Sequence, residues 1–300
     1  LSFRFEIAGQ LSAVLGGSMP TLDINGLTFN VHIGGEGYPV VILHGYCASI
    51  SMWSHLIPVL EKNYRVVAYD ARGHGLSSAP RGKEHYGLHQ LVEDLSAVLD
   101  SLGIYEAILI GHSMGGATVQ AFSAKYGYRA RATLICNIDG GYQPIDEDTA
   151  RQTAEASTRS HTLVRERGLC DYARHQIDAG IAPAFVRVSE HERASYLERY
   201  ARQPINGYFG VGEALPWREA WLKKTVTTLN GPVAIIAGTD DVMHSGAKLL
   251  HQQLPHARMV SISDAPHDSV NARPAAFNQA VLEFIEAVET GAEVGGEFTV

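Results

Sequence analysis

Gly111-His112-Ser113-Met114-Gly115 follows the apolar run Ala107-Ile108-Leu109-Ile110 and precedes a helical pattern. A serine held at a sharp strand-to-helix turn exposes its hydroxyl as a nucleophile, and flanking glycines remove the Cβ atoms that would clash there. The backbone N–H of Met114 then lies at a helix N-terminus, where partial positive charge favours an oxyanion. Such a serine needs a base to accept its proton. Fourteen histidines compete for that role. Seven of them, His85, His89, His161, His175, His191, His251 and His256, sit in polar helical stretches and read as solvated or hydrogen-bonded surface residues.

The elements that must position these groups alternate between apolar runs and helical patterns, which predicts an α/β fold: a mostly parallel central sheet with helices on both faces. Asn25-Gly26, between two short alternating segments, predicts a hairpin. Buried strands are expected at PVVILHG, YRVVAYD, EAILIGHS, ATLICNID and GPVAIIAGTD, with ARMVSIS as the last. Helices are expected from about Met52 to Lys62, from Gly87 to Leu102, and from Pro274 to Val288. From about Tyr142 to Trp217 the composition turns to charged, helix-forming segments, so 142–217 reads as a helical cap inserted into a core formed by 19–141 and 218–290. Residues 1–18 are expected to form an N-terminal extension outside the fold, without a signal-peptide pattern, and 291–300 a C-terminal tail.

Five motifs in this order, Leu43-His44-Gly45, Asp70-Ala71-Arg72-Gly73-His74-Gly75, Gly111-His112-Ser113-Met114-Gly115, Gly238-Thr239-Asp240-Asp241 and Ala265-Pro266-His267, resemble the α/β-hydrolase superfamily, in its capped serine-hydrolase branch. The resemblance spans Met19 to about Val288. It implies a triad of Ser113 as nucleophile, His267 as base and Asp241 as the acid that orients the base. Asp240, one residue away, and Asp139, after the strand LICNI, stay open as alternative acids. The resemblance also implies that the backbone N–H groups of Tyr46 and Met114 form the oxyanion hole. His44, His74 and His112 are then expected in turn structure or packing, Asp70 and Arg72 in an ion pair or turn network, and Cys47 as a small buried thiol.

The activity so implied is hydrolysis of a small carboxylic ester or lactone through an acyl-enzyme, with no metal or cofactor. Relatives that open epoxides or remove halides need a carboxylate where Ser113 stands. Carbon–carbon bond hydrolases of ring-fission diketones and cofactor-free perhydrolases keep a serine, although HGYCAS lacks the Gly-Pro-Gly loop of many of the former. Hydrolase-like ligand sensors with slow turnover form a rival of another class. The aromatics Trp53, Phe185, Tyr208, Phe209, Trp217 and Trp221 could line an apolar pocket, though each alone reads as core.

The 300 residues carry a formal charge of -8 and 45% apolar residues. That balance supports a sizeable core and argues against a nucleic-acid partner, which would call for a basic surface. No apolar run is long enough to cross a membrane. Cys47, Cys136 and Cys170 are widely spaced with no C-x-x-C pair, which fits a reducing, cytoplasmic setting.

Overall fold

Runs such as Val40–Leu43 and Ile108–Ile110 are apolar at every position, which suits a strand covered on both faces. The computed structural model describes residues 20–142, 147–214 and 220–300 and places these runs at the centre of a nine-stranded sheet. In chain order the strands are β1 (Thr21–Ile24), β2 (Leu27–Gly34), β3 (Tyr38–Leu43), β4 (Tyr64–Tyr69), β5 (Ala107–His112), β6 (Ala130–Cys136), β7 (Val233–Gly238), β8 (Arg258–Ile262) and β9 (Gly296–Thr299). Their spatial order is β1-β2-β4-β3-β5-β6-β7-β8-β9. β2 runs antiparallel to β1 and β4, and every other pairing is parallel.

The helices are α1 (Ile57–Leu60), α2 (Leu88–Ser101), α3 (Met114–Lys125), α4 (Glu147–Asp178), α5 (Ala184–Val188), α6 (Glu190–Arg202), α7 (Ile205–Ala214), α8 (Ala220–Val226), α9 (His244–Gln253), α10 (Ser269–Ala272) and α11 (Pro274–Thr290). Alternate strand residues divide between two cores. Val41, Leu43, Leu109, Ile135 and Ile235 pack with Leu95 and Leu99 of α2 and Phe122 of α3. Val40, Ile42, Ile108, Ile110 and Ile236 pack with Trp53, Leu60 and, from α11, Phe277 and Phe284. Trp53 is thus core.

Asn25 and Gly26 take φ of 52° and 78° and pair Ile24 with Leu27, the two-residue hairpin expected from their types. Two expectations need correction. The helix expected from Met52 to Lys62 is a 3-10 turn, Ile50–Trp53, followed by the single turn α1. Pro58 at the start of α1 has no N–H to continue an earlier helix. The expected tail also proves partly ordered: Gly296–Thr299 forms β9, parallel to Arg258–Ser261 of β8, so ARMVSIS is not the last strand. Gly291, with φ of 68°, ends α11 in a left-handed cap and lets the chain turn back to the sheet. The expected extension over residues 1–18 lies outside the described residues.

Between β6 and β7 the described chain is helical, from α4 to α8, and α4 is interrupted at Gly168 with φ of 81°. This segment meets the sheet region through close backbone approach. A Cβ on Gly207 would stand 1.7 Å from the Gly73 carbonyl oxygen, and the buried Gln203 amide donates to that same oxygen at 2.7 Å.

Candidate active site

Ser113 is held by the turn from β5 into α3, with φ of 52° and ψ of -111°. A non-glycine residue with positive φ is strained, and here the surroundings compel it. A Cβ on Gly111 would come within 2.1 Å of the Gly115 carbonyl oxygen, and one on Gly115 within 2.2 Å of the Leu43 carbonyl oxygen. The glycines thus let the turn close and let α3 lie against β3. Met114 opens α3, so its N–H belongs to the first turn, where intrahelical acceptors are lacking. The loop after β3 folds back over this turn: a Cβ on Gly45 would lie 3.2 Å from the Ser113 Cβ, and Tyr46 lines the same cavity as Ser113.

Ser113 Oγ is 3.0 Å from Nε2 of His267, and Nδ1 of His267 is 3.0 and 3.1 Å from the two carboxylate oxygens of Asp241. The three side chains come from the ends of β5, β7 and β8, which the parallel sheet brings to one edge. Asp241 is buried and its neighbour Asp240 is exposed. Asp139 is also buried, but its carboxylate accepts the Gly141 N–H at 2.8 Å within its own turn. Among the three acids left open by the sequence, Asp241 is the one that reaches His267.

Two residues not singled out by sequence support this acid. Asn137 donates from Nδ2 to Asp241 Oδ2 at 2.9 Å, and its Oδ1 accepts the Ser269 hydroxyl at 2.6 Å. The Met243 N–H donates to Asp241 Oδ1 at 3.0 Å. Burial by itself would raise the pKa of Asp241, but contact with His267 and these two donors holds it below the ordinary carboxylate value. Burial likewise pulls His267 down, yet its hydrogen bond and charge attraction to Asp241 leave its pKa above the ordinary imidazole value. Asn137 has φ of 51°, so Asn137→Gly removes its side chain without backbone strain. This variant is expected to lower stability by about 1–3 kcal/mol, because Ser269 is left unpaired, and turnover by roughly tenfold. Urea unfolding and ester kinetics on the variant measure both.

The other motif residues keep the turns in place. His44 donates from Nδ1 to the Gly45 carbonyl and accepts the Ala71 N–H at Nε2. His112 donates from Nε2 to the His267 carbonyl at 2.7 Å, and burial pushes its pKa down to about 4, so it stays neutral beside His267. Asp70 gathers the N–H groups of Ile50 and Leu76 and the amide of Asn30, a turn network as expected. Arg72 does not pair with Asp70; it forms a two-pronged ion pair with Asp94 of α2. Burial raises the Cys47 thiol to about 12, so it is protonated and poorly nucleophilic.

The Ser113 and His267 side chains open into a cavity of about 320 Å³ whose far wall carries Ile181, Pro183, Tyr196 and Arg199 from the helical segment. An adjoining cavity of about 410 Å³ shares Met52, Tyr196, Arg199 and Asp268 with it and adds Phe185. A larger groove, about 500 Å³, lined by His89, Glu93 and Lys125, includes none of the three hydrogen-bonded residues. Tyr208 and Phe209 pack against Tyr46 and His161 rather than lining the cavity beside Ser113, so His161 is a partly covered member of an aromatic cluster. Tyr46 also ties the loop to the helical segment, its hydroxyl donating to the Tyr208 carbonyl at 2.5 Å. The side chains of Trp217 and Trp221 lie outside the described residues.

Among the described residues, no helix is long and apolar enough to cross a membrane. The family model for the alpha/beta hydrolase fold matches residues 38–270. The chain is 32% identical over 237 residues to 3-oxoadipate enol-lactonase 2 of Acinetobacter baylyi, covering 78% of this chain and 83% of that protein. It is 26% identical over 266 residues to the non-heme haloperoxidase of Rhodococcus erythropolis, covering 84% and 94% respectively. The crystal structure of the enol-lactonase from Burkholderia xenovorans LB400 superposes with a TM-score of 0.77 at 27% identity, covering 89% of this chain and all of that one. The chain belongs to the α/β-hydrolase family.

Proposed function

We propose that this chain is a serine hydrolase acting on a small carboxylic ester or lactone through an acyl-enzyme on Ser113. The observation that carries the reading is the continuous hydrogen-bonded chain Ser113–His267–Asp241 opening into one cavity. Ser113 Oγ attacks the substrate carbonyl while His267 Nε2 takes its proton. Asp241 holds the Nδ1–H tautomer and stabilises the imidazolium. The N–H groups of Met114 and Tyr46 stabilise the oxyanion, and collapse of the tetrahedral intermediate expels the alcohol, which takes the proton from His267. Water, deprotonated by the same imidazole, then releases the acid and restores Ser113.

Helices α4 to α7 form the lid in this reading, since α6 contributes Tyr196 and Arg199 to the cavity wall. The enol-lactonase likeness supports a lactone or ester. Ser113 supplies no carboxylate, which disfavours epoxide opening through an alkyl-enzyme ester. The haloperoxidase likeness supports a second use of the same acyl-enzyme, with hydrogen peroxide replacing water to give a peracid. Rapid quenching during turnover of a panel of esters, lactones and diketones, with mass measured on the Ser113 peptide, tests the proposal. An acyl mass increment on that peptide is the expected result. Its absence under turning-over conditions, with fast chemistry and slow release both sampled, would count against the acyl-enzyme.

A further inference from the structure

Arg199 stands in the wall of the reacting cavity with one loose ion pair and an unused hydrogen-bond donor. Its side chain is 21% exposed, and its guanidinium carbon lies 4.8 Å from the Tyr196 ring centroid and 5.6 Å from that of Tyr200. Nε is buried with no hydrogen-bond partner among the described residues. The nearest carboxylate is Asp268, whose Oδ2 is 3.8 Å from Nη1, beyond hydrogen-bond distance. Asp268 directs its other oxygen to the Asn271 amide at 2.9 Å. The acids of the adjoining cavity do not fill the gap: Glu198 pairs with Arg202, and Glu192 lines the adjoining cavity but not the reacting one. A guanidinium offers five N–H donors in a planar fork that matches a carboxylate. Two aromatic rings lie against it and cover part of its surface, which strengthens an ion pair formed there relative to one in open solvent.

We propose that Arg199 is a specificity-determining residue that binds a carboxylate carried by the substrate, so that the preferred ester or lactone is a monoester or lactone of a diacid. The inference rests on the Ser113 acyl-enzyme reading, since the cavity that Arg199 lines is the one into which Ser113 and His267 open. The carboxylate takes up the unused donors of the fork. Anchoring at that end fixes the carbonyl before Ser113, which lowers the orientational cost of attack.

The test compares two esters of the same aryl alcohol, the acetate and the hemiglutarate, on wild-type enzyme, Arg199→Gln, Arg199→Lys and Ser113→Ala. Wild type is expected to favour the hemiglutarate in kcat/KM. Arg199→Gln should lower the hemiglutarate-to-acetate ratio by roughly 10- to 100-fold, chiefly through KM, and Arg199→Lys should restore part of it. A ratio that is unchanged in Arg199→Gln, whether activity on both esters is kept or falls equally, overturns the proposal and leaves Arg199 as a brace between α6 and Asp268. Ser113→Ala separates the two readings: if acetate turnover depends on Ser113 while the ratio ignores Arg199, only the carboxylate site falls. If neither ester depends on Ser113, the acyl-enzyme reading falls with it.

Discussion

Ser113→Ala is expected to reduce ester turnover by about 10⁴-fold or more, the scale for removing the nucleophile of a serine triad. The fold should survive. Ser113 makes no side-chain capping bond to α3, so its hydroxyl contributes only the contact with His267, worth about 1 kcal/mol or less. The strained φ of 52° is equally open to alanine, which is no bulkier at Cβ. Purified Ser113→Ala should therefore unfold in urea close to wild type while its progress curves approach the uncatalysed rate. Retention of more than about a tenth of wild-type turnover would mean that His267 activates water or another reactant directly.

The second large effect belongs to Asp241→Asn, expected to lower kcat by about 10⁴-fold. An asparagine amide can donate to His267 Nδ1, which turns the ring to the tautomer with its hydrogen on Nε2, facing Ser113. That tautomer cannot accept the serine proton. The pH profile provides an independent readout. In wild type, His267 is held above its ordinary value of 6.5 by Asp241 despite burial, and the base works only when neutral. The acid limb of kcat/KM should therefore fall above that value. With Asn at 241 the main raising causes are gone and burial remains, so the limb should move to lower pH while the plateau drops. A limb that stays in place would show that Asp241 does not set the charge state of His267.

Much of this architecture could be read from the chain because short-range chemistry encodes it. Asn25-Gly26 specifies a hairpin through its tolerance of positive φ. Uniformly apolar runs such as Val40–Leu43 specify strands covered on both faces. The glycines around Ser113 specify a turn that only residues without a Cβ can close. The helix expected over Met52–Lys62 failed because apolar spacing cannot tell one helix from a 3-10 turn and a single α-turn that bury the same face. The tail was misread because Gly296–Thr299 has little apolar content, and its pairing depends on the open edge of β8 rather than on its own sequence.

The functional site divides along the same line. A serine in a strand-to-helix turn is a local property, so sequence determined where that hydroxyl would stand. Which acid meets His267 was not local: Asp240 and Asp241 differ by one residue, and only the path of the chain after β7 buries one and exposes the other. The supports at Asn137 and Ser269 are 104 and 28 residues from Asp241 in sequence. Nothing near either residue announces the contact. Arg199 was hidden for a similar reason, since its segment, rich in charged residues, reads as solvated helix. Its place against Tyr196 and Tyr200, in the wall of the same cavity as Ser113, exists only because the helical segment folds back over the ends of the strands. Local steric and hydrogen-bonding rules fix turns and strands, whereas convergence of distant side chains on one cavity is fixed by packing.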